Sequence, residues 1–104
     1  MNKDIEMRKT ALVLPAFLNT SIDADAGSLD EKCKAVGDLA YSIVVDRQGG
    51  IGLSKMIEGF SAIEGAREMI LDAHEWPRYR SNENVRQSWD DFRDEWTLKC
   101  YKSE

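Results

Sequence analysis

Residues 53–75 read LSKMIEGFSAIEGAREMILDAHE, and the number of helices in this stretch decides the fold. Leu53, Met56, Ile57 and Phe60 recur at helical spacing, and so do Ile63, Ala66, Met69, Ile70 and Ala73. One long helix could carry both stripes. Gly59 weakens its middle, because glycine costs about 1 kcal/mol relative to alanine inside a helix. Ser61-Ala62-Ile63-Glu64 also has the form of a capping box, which starts a new helix. The stretch therefore reads as two helices, 53–59 and 62–75, with Met56 and Met69 as core filler.

Upstream, Ser28-Leu29-Asp30-Glu31 is another capping box, and Leu29, Cys33, Val36, Ala40 and Ile43 follow at helical spacing. A helix over 29–48 with Gly49 as its left-handed cap is expected. Tyr41-Ser42-Ile43-Val44-Val45 has the β-branched content of a short buried strand, but the longer periodic pattern outweighs it. Gly49-Gly50-Ile51-Gly52 is a turn. It is no phosphate cradle, since Lys55 is not placed to complete a Gly-x-x-x-x-Gly-Lys-Ser/Thr motif.

Downstream, Pro77 stops the third helix and Arg78-Tyr79-Arg80 makes the connection. The last helix is expected over 82–101, with Val85, Trp89, Phe92 and Trp96 on one face. Asp90, Asp91, Asp94 and Glu95 lie around its solvated faces. The fold class is then all-α, a small four-helix bundle over 29–48, 53–59, 62–75 and 82–101.

This helix count bears on the two cysteines. Four alternating helices place the end of the last beside the start of the first, so Cys33 and Cys100 can meet. Three would hold them at opposite ends, beyond disulfide reach. In an oxidising compartment the pair reads as one structural disulfide; in a reducing one, as two buried thiols.

The remaining counts mostly exclude. The chain has 104 residues, 19 acids and 14 bases, for a net charge of −5. That length fits one domain. The acid surplus argues against direct nucleic-acid binding, which needs a basic surface. Eleven acids against five bases fall within residues 21–75, whereas 76–104 balance at six of each. No apolar run is long enough for a transmembrane helix. One histidine and two cysteines leave no convincing metal site, and no cofactor is expected.

Residues 1–26 differ from the rest. Arg8 and Lys9 precede Ala11-Leu12-Val13-Leu14-Pro15-Ala16-Phe17-Leu18, and Ala24-Asp25-Ala26 follows. A basic start, a short apolar run and small residues spaced A-x-A are the parts of a secretory signal. The alternative is a poorly packed first segment broken at Pro15. Either way the single helical domain is expected over 27–104.

Trp76, Arg78, Tyr79 and Arg80 form the strongest local constellation. These residue types dominate binding hot spots, because they join large apolar area to directional polar groups. The competing reading is intramolecular: Trp76 and Tyr79 cover the end of the bundle and an arginine pairs with an acid. His74 has no acid at i±3 or i±4 to share its helix face. The chain lacks a nucleophile, base and oxyanion-donor set, so no enzymatic activity is expected.

Cys33, Leu39-Ala40, Arg47, Met69-Ile70, Ala73, Pro77-Arg78-Tyr79, Phe92 and Cys100-Tyr101-Lys102 together resemble a group of small bacterial and phage-encoded proteins, exported and helical, with a two-cysteine pattern. The likeness covers residues 28–102. It implies export and a disulfide-linked helical fold and assigns no activity. His74-Glu75-Trp76 departs from the tyrosine-containing helix end of that group.

The function these readings point to is a non-enzymatic periplasmic or secreted protein that binds another protein, with a phage or prophage role implied by the resemblance alone. Two alternatives stay open: a cytoplasmic acidic inhibitor of a basic nucleic-acid-handling protein, and a periplasmic chaperone or acid-stress protein.

Overall fold

A computed structural model describes residues 21–103, with side chains from residue 28. Its elements are α1 (Ser21–Gln48), α2 (Leu53–Gly59), α3 (Ala66–Glu75) and α4 (Asn82–Lys102). No strand occurs among the described residues. The chain divides into two units, Met1–Lys32 and Cys33–Glu104. Of the first, residues 21–32 are helical, and most of the expected leader lies outside the described residues. The packing that follows is that of the second.

Cys33, Gly37, Ala40, Val44 and Gln48 are buried at steps of three and four residues, which line one face of α1. That face meets α4. Cys33 is bonded to Cys100, with Cα atoms 5.5 Å apart. Tyr41 makes an edge contact with Trp89, at 5.9 Å between ring centroids, and lies under the Arg93 guanidinium at 4.1 Å. Residue numbers rise on α1 as they fall on α4, so the two helices are antiparallel.

The closest approach is at Gly37. A Cβ built there would overlap the Thr97 Oγ1 and sit 3.3 Å from the Arg93 Cγ. Glycine is tolerated in this helix interior because it lets the backbones draw together.

Helix α3 is also antiparallel to α4. Asp72 accepts a hydrogen bond of 2.9 Å from the Trp96 indole N–H, and Trp76 packs edge-on against Phe92 at 5.2 Å. The core joins Ala40, Ile43 and Val44 of α1, Met56 of α2, Ala66, Met69, Ile70 and Ala73 of α3, and Phe92 of α4. No described helix is long and apolar enough to cross a membrane.

Four helices, with α1 and α3 both antiparallel to α4, and a Cys33–Cys100 disulfide are therefore as the sequence indicates. The element ends are not. Ser28 lies inside α1, which begins at Ser21. A cap contributes only about 1 kcal/mol, too little for a capping sequence alone to stop a helix whose hydrogen bonding continues through it.

Helix α3 begins at Ala66, not 62. Gly65 precedes it with φ 85°, and 60–65 wind as successive turns with Ile63 N–H donating to Phe60 O at 3.0 Å. Ile63 is 46% exposed, so extending the helix backward would bury little. At the end of α1 the left-handed residue is Gly50 (φ 97°), not Gly49. Ile51 N–H donates to Asp46 O at 3.0 Å and Gly50 N–H to Arg47 O at 3.1 Å, the two bonds of a Schellman motif.

Gly37→Ala should lower stability by about 1–3 kcal/mol through overpacking, against the gain of about 1 kcal/mol that helix propensity alone gives. Urea denaturation checks it, and adding Thr97→Ala should restore most of the loss. Reducing the Cys33–Cys100 bond, which closes a sequence separation of 67, should cost about 4 kcal/mol. The shift in urea midpoint with and without reductant measures it.

Candidate functional site

The site is built where α1 and α3 end side by side. Pro77 disfavours helical geometry in the residue before it. Trp76 accordingly turns extended (φ −80°, ψ 142°), although its N–H still bonds to Ala73 O. The chain leaves α3 there and crosses to Ser81, whose hydroxyl caps α4 by accepting from Asn84 N–H at 3.1 Å.

A buried amide holds this crossing in place. Gln48, 7% exposed, occupies the last position of the buried α1 stripe. Its Nε2 donates to Pro77 O at 2.8 Å, and its Oε1 accepts from Tyr79 N–H at 2.9 Å. The Arg47 Nη2 donates to Trp76 O at 3.2 Å. One side chain thus satisfies a carbonyl and an amide on either side of Arg78, as a neighbouring strand would. Buried polar groups must be matched in this way or cost about 1–3 kcal/mol each.

Arg78, Tyr79 and Arg80 are carried on the outside of this clamp, all exposed. The Arg78 guanidinium lies over Gly50, where a Cβ would come within 3.0 Å of its Nη2. The 49–52 and 77–80 loops are therefore neighbours. Ile51 is 38% exposed, Leu53 42% and Tyr79 36%, so apolar surface accompanies the arginines.

The four residues singled out from sequence thus separate. Arg78, Tyr79 and Arg80 are on the surface, and neither arginine pairs with an acid among the described residues. Trp76 is half-buried with its ring against Phe92, so it supports the loop from within. Cys33, inside α1, and Cys100, near the end of α4, lie at the other end of the α1–α4 contact and take no part in this surface.

Sequence reasoning missed Arg47, Gln48 and Gly50. For Gln48 a signal was present: it continues the buried spacing of Cys33, Gly37, Ala40 and Val44 and stands directly before two glycines.

Elsewhere some polar groups are engaged within the fold, while His74 Nε2, Trp89 Nε1 and Arg93 Nε, like Arg47 Nε in the clamp, are buried without a hydrogen-bond partner among the described residues. The His74 Nδ1 lies 3.0 Å from Ile70 O, and a carbonyl can only accept, so this nitrogen carries the proton. Asp72 bonds Trp96 and pairs with Lys99 at 3.7 Å. Among the described residues no group of three His, Cys, Asp or Glu side chains could hold a metal ion. Comparison with known protein families, with curated proteins and with solved structures returns no match to this chain.

Gln48→Ala removes both bonds to the loop and should cost about 1–3 kcal/mol. Hydrogen exchange at the Tyr79 amide should accelerate more than exchange within the α4 core. Equal acceleration at both would show that Gln48 supports the whole bundle rather than the loop.

Proposed function

We propose that this protein is a non-enzymatic binder of another protein in an oxidising compartment, the periplasm or outside, and that the 76–80 loop is its contact surface. One observation carries the reading: Gln48 and Arg47 hold this loop by three hydrogen bonds while its arginines and tyrosine face outward. A surface ordered before binding spends little of its interaction energy on loop ordering, which for flexible segments costs several kcal/mol. Arg and Tyr in such a setting are the residue types that dominate interface energetics.

The disulfide supports this compartment, since such bonds persist where the environment is oxidising and are rare in the cytosol. The apolar run before residue 20 supports export in the same direction. A role in a phage or at the bacterial envelope is the finer form of this proposal and rests on resemblance.

Expression with its own N-terminus in a Gram-negative host tests the compartment. The mature protein should be recovered from the periplasm beginning near Gly27 and without alkylatable thiol. A full-length cytosolic chain with two reactive thiols would contradict export. The surface is tested by two substitutions. Trp76→Ala should cost about 3 kcal/mol, because the indole fills space against Phe92. Arg78→Ala should change stability by no more than about 0.5 kcal/mol while weakening capture of the partner. If Arg78→Ala unfolds the domain, the loop is structural.

A further inference from the structure

The two segments that meet at the loop surface carry bases and no acid, in a chain that is acidic as a whole. Residues 47–57 contain Arg47 and Lys55 and no acid, and residues 76–82 contain Arg78 and Arg80 and no acid. The contacts of Arg47 with Trp76, of Gln48 with Pro77 and Tyr79, and of Arg78 with Gly50 bring these two segments together. Arg47, Arg78 and Arg80 thus lie on segments joined at one end of a protein whose net charge is −5, and Lys55 follows on the first segment within α2. Asp46, Glu58, Glu75 and Glu83 flank the segments in sequence. None of the four cations is ion-paired among the described residues. Elsewhere Lys34 pairs with Asp38 at 2.9 Å and Lys99 with Asp72 at 3.7 Å, whereas Arg67, Arg86, Arg93 and Lys102 also lack an ion pair among the described residues, so the acid-free sequence of the two segments, not the lack of pairing, sets this end apart.

We infer that the partner presents an acidic, carboxylate-bearing protein segment with apolar side chains to the joined 47–55 and 76–82 loops. The inference rests on the protein-binding reading above and specifies its chemistry. Arginine guanidinium groups match carboxylates in a two-point geometry. Ile51, Leu53 and Tyr79 are exposed on the same two segments, and they supply apolar contact that a bare polyanion would leave unused. An extended nucleic acid or polyphosphate would also run beyond the patch onto acidic surface. There Asp90, Asp91 and Asp94 are exposed on α4 and would repel it.

The test uses backbone-amide NMR of the oxidised chain with three probes. These are a short soluble peptide of glutamate, aspartate, leucine and glycine, its lysine and arginine counterpart of equal apolar content, and inorganic polyphosphate. The acidic peptide should shift the amides of Gly49, Gly50, Ile51, Arg78, Tyr79 and Arg80. Its binding should weaken several-fold as ionic strength rises from about 0.02 to 0.3 M and the Debye length shrinks.

The double substitution Arg78→Glu with Arg80→Glu should reduce that binding at least about tenfold. Lys102→Glu, at the opposite end of α4, should leave it unchanged. Intact α4 amide signals in the double variant show that its fold survives. Equal shifts from the basic peptide would overturn an acidic partner and leave the loop surface standing. Tighter binding of polyphosphate at the same amides would replace the carboxylate by phosphate and overturn the inference. No response at these amides to any probe would overturn both the acidic partner and the loop as a binding surface.

Discussion

The antiparallel contact of α1 with α4 is the constraint on which the other elements depend. It is set at two points. The Cys33–Cys100 bond ties the interior of α1 to the end of α4, and the missing side chain at Gly37 lets the backbones close on each other beside Thr97. With the spacing set there, Tyr41 slides under Arg93 and against Trp89, and Phe92 reaches a core otherwise supplied by α1, α2 and α3. A small domain has little apolar area to spend against chain entropy. A covalent tie near one end and close packing next to it therefore count for more here than in a larger protein.

The same register decides the surface at the other end. Helix α1 arrives beside the end of α3 with Gln48 as its last buried position, and the amide of Gln48 replaces the hydrogen bonds that the 77–79 backbone lacks. The exposed arginines are thus held by a side chain buried beneath them. Support from beneath leaves their outer faces open to a partner. Trp76, the most conspicuous residue of that stretch, serves on the inner side, because its ring is taken up by Phe92.

The places where local sequence signals misled share a cause. Ser28 and Ser61 both stand in capping patterns, yet neither starts a helix. A cap contributes about 1 kcal/mol, and continued hydrogen bonding through 28, or turns closed by a left-handed Gly65, outweighed it. The shift of the left-handed residue from Gly49 to Gly50 is of the same kind. Both glycines can adopt that conformation, and the paired bonds of Gly50 and Ile51 to Arg47 and Asp46 select the second.

The periodic apolar positions of all four helices, the breaks at Gly59 and Pro77 and the reach of Cys100 to Cys33 were legible from residue order, because each depends on local geometry and helix count. Three things were not. The identity of Gln48 as a clamp, the role of Gly37 as a point of close approach and the meeting of two acid-free segments at one surface all depend on residues far apart in the chain. The Gln48 bonds join positions 29 and 31 residues apart. Spacing within one helix says which face is buried. Only the packing of helix on helix decides which polar group that face must satisfy, and which charges it brings together at the surface.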